Sequence, residues 1–204
     1  MFGIDSKFYG VASKIADLVV LNLLFVLCSL PIFTIGASTT ALYGVTKKMV
    51  ENRESYIFRN YFQLFKENFR QSTVIWIILL VAAMIPTIDL YIINSFEKTI
   101  ITTALKGLIL AATLTVLFVF LYAMALQSTF ENTIKNTLKN AFLMGIGHFP
   151  LTLLIVFITL LPIILIFLPG KTSGSVVYVM LIVGFAVLAY LNSYIFNHIF
   201  KKYM

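Results

Sequence analysis

The chain has 204 residues, 60% of them hydrophobic and only 11% charged, with a mean hydropathy of +0.99. A soluble domain carries about 25% charged residues, so this composition excludes a water-covered globule and leaves no room for a separate soluble enzyme domain. The net charge of +7 comes from residues beside and between apolar runs, where membrane topology and anionic lipid account for it and nucleic acid does not.

From the N-terminus, Ile4, Phe8, Val11 and Ile15 recur at spacings of three and four, which predicts an amphipathic lead-in helix over residues 4–16. No small-residue cleavage site follows the first apolar run, so the first span, about residues 17–35, is read as retained. That span belongs to an uncharged run from Leu18 to Thr46. As one helix the run would reach roughly 44 Å, against a hydrocarbon core of about 30 Å, so it must tilt, bend or turn back. Pro31 and Gly36 permit a break, and Ser38, Thr39 and Thr40 are placed to cap a new helix after it. Four later runs read as spans: 73–93, 108–126, 151–168 and 175–195.

The linkers alternate in character. Residues 94–99 and 169–174 are short, the second rich in Pro, Gly and Ser; residues 51–71 and 128–148 are long, polar and basic. If Gly36 turns the chain back and residues 37–50 return, the side with both termini and both long linkers holds twelve lysines and arginines against three opposite. If residues 37–50 stay on the inner side instead, the division is ten against five. The positive-inside rule favours the first arrangement. The expected fold is therefore all-α: a polytopic membrane helix bundle of about six spans, five plus a short or re-entrant second helix, with both termini cytoplasmic. It forms a single membrane domain over residues 1–204, with hairpins at about 16–50, 72–127 and 149–197.

In the first long linker, Phe58, Tyr61, Phe62, Phe65 and Phe69 fall on one helical face and Arg59, Gln63, Lys66, Glu67 and Arg70 on the other. This is the pattern of a helix lying in the headgroup layer, or of one packed on the inner ends of the spans. The second long linker repeats part of the first at an offset of eighty: Glu51-Asn52, Arg59-Asn60 and Phe62 match Glu131-Asn132, Lys139-Asn140 and Phe142. Leu42-Tyr43 matches Leu121-Tyr122 one residue out of that register.

Groups able to carry chemistry are few. His148 and His198 have no ligand partner at metal spacing, and the single cysteine, Cys28, has no base beside it. There is no phosphate-binding loop, nucleophile elbow or zinc motif. No catalytic residue, cofactor or metal site is assigned, and the chain is read as not an enzyme. Three charges near span ends, Asp17, Asp89 and Lys106, are candidates for intramembrane function or for anchoring, with Asp17 near Lys14 and Asp89 opposite Lys106 across a short loop. The break at Pro31, Gly36, Ser38, Thr39 and Thr40 is read either as a ligand site, because an interrupted helix leaves backbone groups free, or as a turn that sets the topology.

Cys28-Ser29-Leu30-Pro31, then the run from Thr34 to Tyr43, then Phe58-Arg59 and Phe65-Lys66-Glu67-Asn68-Phe69 resemble the YesL family of small bacterial integral membrane proteins. The resemblance is strongest over residues 16–76. It implies a protein of the bacterial plasma membrane, of a family without assigned activity whose members are commonly encoded beside sugar ABC-transporter components and glycan-degrading enzymes. On that basis the expectation is an accessory or regulatory protein in carbohydrate uptake, bound to the lipid bilayer and to a sugar ABC-transporter subunit or a membrane sensor. A small solute carrier is the alternative, and a membrane enzyme a distant third. Homo-oligomerisation stays open, since no small-xxx-small pattern marks an interface.

Overall fold

The structure is a computed structural model that describes residues 3–53, 56–167 and 172–203. Those residues form helices α1 (Gly3–Ser29), α2 (Ile35–Val50), α3 (Ile57–Ile93), α4 (Ile100–Gln127), α5 (Ile134–Gly147), α6 (Phe149–Phe167), α7 (Thr172–Val179) and α8 (Phe185–Phe200). A 3₁₀ turn at Ile32–Thr34 precedes α2, and a π-helical turn at Met180–Gly184 joins α7 to α8. No strand occurs among the described residues.

The chain reverses at each hairpin. Lys14 Nζ donates to Asn52 Oδ1 (3.0 Å) while Thr34 bonds back to Cys28, so α1 and α2 run antiparallel. Gly36 abuts Ser72 and Trp76 of α3, and Gly44 abuts Leu64, so α3 runs back along α2. Trp76 stacks near Phe120 (5.1 Å) and Gln71 meets Gln127, which returns α4 beside α3. At the polar end Lys47 Nζ reaches Thr129 Oγ1 (3.4 Å) and Phe130 packs on Phe200 (5.6 Å), gathering both linkers and the end of α8 together.

Five segments are long and apolar enough to cross a membrane: Gly10–Ser29, Ile57–Ile93, Ile100–Gln127, Phe149–Phe167 and Ser173–Phe200. α2 is the sixth helix and the short one, about 24 Å by its sixteen residues. Its surroundings compensate for that length. Every residue from Gly36 to Thr46 is buried, and α2 is enclosed by α1, α3, α4 and α8. Lipid-facing side chains belong to the outer helices, as with Ile77, Val81 and Ile85 on α3 and Leu153, Phe157 and Ile164 on α6. A helix too short to count among the five apolar spans is thus the centre of the bundle.

Three expectations are corrected. Gly36 does not make the turn: Leu30 to Thr34 does, because Pro31 cannot donate a backbone hydrogen bond. Gly36 already lies in the first turn of α2, where a Cβ would overlap Ser72 O and stand 2.6 Å from Trp76 Cβ. It is glycine for close approach. Ser38, Thr39 and Thr40 do not cap α2 either. Thr34 precedes the helix, and its hydroxyl donates to the carbonyls of Cys28 (2.5 Å) and Pro31 (2.6 Å), while Trp76 Nε1 donates to Ile32 O (2.8 Å).

The third correction concerns the first long linker. Residues 57–71 are not a separate cytoplasmic linker helix; they are the opening turns of α3, which continues unbroken into its apolar half. No Gly or Pro occurs from Ile57 until Pro86, so nothing interrupts the backbone hydrogen bonding. The linkers proper shrink to residues 51–56 and 128–133. The second amphipathic stretch does form its own helix, α5, which ends at His148 just before Pro150 in the first turn of α6. Residues 169–171 of the turn expected at 169–174 lie outside the described residues; from Thr172 the chain is already helical.

Candidate functional site

The helix break is packed shut. Thr39 Oγ1 donates to Ile35 O (2.7 Å) within its own helix, and Thr40 Oγ1 pairs with Ser72 Oγ (2.9 Å) and reaches Met124 Sδ (3.3 Å). Ser38 Oγ and the Tyr61 hydroxyl are buried as neighbours, with Cys28 beside the tyrosine, and neither makes a hydrogen bond of good geometry among the described residues. Pro31 is exposed beside Leu30, Ile32 and Phe33. The residues of the break therefore serve helix contacts more than an open cleft.

The amphipathic face of α3 divides in two. Tyr61 is fully buried against the core, Phe62 and Phe65 are half-buried, and Phe58 and Phe69 stay exposed with Arg59, Lys66 and Arg70. The aromatic rings pack along the helix at a tilt, Phe58 against Phe62 (4.8 Å) and Phe65 against Phe69 (5.5 Å). Of the intramembrane charges, Asp17 is half-buried on α1, Asp89 is exposed near the end of α3, and Lys106 is half-buried on α4. No ion pair joins Asp89 to Lys106 among the described residues. His148 closes α5, its Nδ1 3.3 Å from Met144 O, and His198 is exposed. No group of three or more His, Cys, Asp or Glu comes together among the described residues.

The structure adds polar groups that the sequence reading passed over. Asn22, fully buried in the apolar half of α1, donates through Nδ2 to Met180 O (3.1 Å) and Leu181 O (2.8 Å), and its Oδ1 accepts from Ala186 N–H (3.0 Å). A π turn leaves carbonyls out of the usual ladder, and one amide side chain answers them here. Along α8, Ser193 pairs with Thr46 (2.7 Å) and Asn192 Nδ2 donates to Thr159 (3.0 Å). Among the described residues Asn192 Oδ1 and Asn197 Oδ1 are buried without a hydrogen bond of good geometry, with Tyr43 beside Asn192. Phe196 sits between Tyr43 and Tyr122, the repeated tyrosines, with edge-on rings at 5.4 Å and 5.0 Å. The available signal was the lone amide in an apolar run, which is expensive in lipid unless a helix partner receives it.

At the polar end a groove of about 670 Å³ opens between α3 and the second linker. Its floor is an amide network: Gln127 Nε2 donates to Gln71 Oε1 (2.5 Å) and Asn68 Oδ1 (3.3 Å), while Gln127 Oε1 accepts from Thr137 (3.3 Å). Gln71 Nε2 donates to the backbone oxygen of Asn132 (2.7 Å) and so fixes the linker. Glu67 and Glu131 complete the lining, both exposed. This is the largest opening among the cavities described, and it carries acceptor groups without a catalytic constellation.

A closed helical bundle with apolar outer faces, a polar interior that joins helix to helix and its linkers gathered at one end defines a polytopic, multi-pass membrane protein. A family described as "Protein of unknown function, DUF624" matches residues 18–90. The chain is also 27% identical over 108 residues to a protein of Bacillus subtilis (strain 168) described as "Uncharacterized protein YesL", a match covering 52% of each. Both matches agree with the resemblance to the YesL family over part of the chain. The chain spans about half the length of that curated relative. No solved structure matches it.

Proposed function

We propose that the chain is a non-enzymatic accessory protein of the bacterial plasma membrane, with both termini cytoplasmic, that binds and regulates a component of carbohydrate uptake. One observation carries the reading: the buried polar side chains mostly tie helices to one another, whereas the open, acceptor-lined groove lies at the end where the linkers meet. That division suits a stable platform that presents a polar surface to a partner. The family resemblance supplies the carbohydrate context, and the partner class follows from it: a sugar ABC-transporter subunit or a membrane sensor. Affinity purification of the full chain from native membranes of sugar-grown cells tests this. Recovery of a transport or sensor component is expected; its absence, with the chain itself recovered intact, overturns the proposal.

A solute carrier is the second reading, and the buried oxygens of Asn192 and Asn197 on α8, which lack a hydrogen bond of good geometry, are the observation that favours it. Solute flux into proteoliposomes that disappears in Asn192→Leu and Asn197→Leu would decide for the carrier.

A further inference from the structure

We infer that the groove beside the second linker receives a lysine or arginine side chain from a partner membrane protein. The inference rests on the accessory reading and names the chemistry of its contact.

The chain supplies its own precedent. Its two linkers carry the same dipeptide, Glu51-Asn52 and Glu131-Asn132. In the first copy both side chains are answered by cations: Lys14 Nζ, from a neighbouring helix, donates to Asn52 Oδ1 at 3.0 Å, and Arg53 lies 3.6 Å from Glu51 Oε2. In the second copy the linker is held through the Asn132 backbone oxygen instead. Among the described residues no cation pairs with Glu131, and Glu67 across the groove accepts only from Gln63 (2.9 Å). Lys66, Arg70 and Lys135 stand within a few positions of these carboxylates and Lys47 is held on Thr129 of the lining, but among the described residues none of them forms an ion pair with either.

The groove floor points the same way. Gln127 is 6% exposed and spends its donor group on Gln71 and Asn68, and Gln71 spends its own on the linker. Each floor oxygen already accepts one hydrogen bond and keeps a second lone pair, so what is left at the opening is acceptor capacity beside the Glu67 and Glu131 carboxylates, which suits an ammonium or guanidinium group. The chain as a whole carries a net charge of +7 and repels cations at long range. A cation that binds here must do so locally.

Full chain in nanodiscs of uncharged phospholipid, titrated with fluorescent penta-arginine and pentaglutamate peptides, tests the site. Saturable binding of penta-arginine is expected, weakened at least about tenfold in the Glu67→Gln, Glu131→Gln double variant, since charge-paired contacts of this kind are worth that much or more. Asp89→Asn, far from the groove, should bind as the unmodified chain does. No binding of penta-arginine, equal binding by the double variant, or equal binding of pentaglutamate overturns the inference. A photo-crosslinker placed at residue 131 in cells then separates the two proposals. Adducts on a Lys- or Arg-bearing segment of a protein unconnected with transport refute the carbohydrate role and leave the groove chemistry standing. Adducts confined to segments without Lys or Arg refute the groove.

Discussion

Replacing Asn22 with leucine tests the polar logic of the interior most directly. The side chain is fully buried, lies in an apolar helix, and makes three hydrogen bonds in the last hairpin, two to carbonyls of the π turn and one from the Ala186 amide at the start of α8. Inter-helix hydrogen bonds in membrane proteins average about 0.6 kcal/mol and reach about 1.7, so three of them contribute about 2 kcal/mol. If the π turn stayed open, its backbone groups would each lose about 1–3 kcal/mol. The turn is therefore expected to reclose toward α-helix, and Asn22→Leu to lose about 2–3 kcal/mol in all. Reversible unfolding of the full chain in bicelles measures the loss. Hydrogen exchange at the Ala186 amide, which donates to Asn22, reports the contact itself and should quicken. A leucine variant as stable as the parent, with Ala186 exchange unchanged, would refute the reasoning.

Two further outcomes follow from the packing and the topology. Gly36→Ala should destabilise by about 1–3 kcal/mol through overpacking, because the new Cβ meets the Ser72 backbone and Trp76, whereas Gly107→Ala, with open space around it, should stay within about 0.5 kcal/mol in the same unfolding assay. In a Cys28→Ala background, single cysteines at residues 52 and 131 should react with an impermeant maleimide only after cells are opened, and one at residue 95 in intact cells; labelling of all three from one side would contradict the alternating path.

Much of the architecture was readable from charge and length. The basic residues clustered where the linkers and termini gather, and Pro31 marked the first reversal. The role of α2 was harder to read. Gly36, Ala37, Ser38, Thr39, Thr40 and Ala41 give a weak hydropathy signal for a span, and the same small side chains are what close helix packing requires. Their meaning depends on neighbours that come later in the chain. The aromatic face of residues 58–69 misled for a related reason: a helix facing lipid and one facing another helix show the same periodicity, and only the core position of Tyr61 tells them apart. The π turn was illegible locally, since its partner Asn22 lies about 160 residues away. In the groove, the repeated Glu-Asn dipeptide was visible in sequence, but its different neutralisation in the two linkers was not.

The burial of α2 also bears on how the protein is made. A helix that short and that rich in hydroxyls is a poor resident of lipid by itself, yet three of the helices that enclose it, α3, α4 and α8, are synthesised later, and Ser193, the partner of Thr46, lies on the last of them. Membrane helices insert first and associate afterwards. The first hairpin must therefore wait, incompletely covered, until α8 has been made. Assembly closes around the oldest part of the chain last, and a ribosome that stalls before α8 releases a product whose centre is still open.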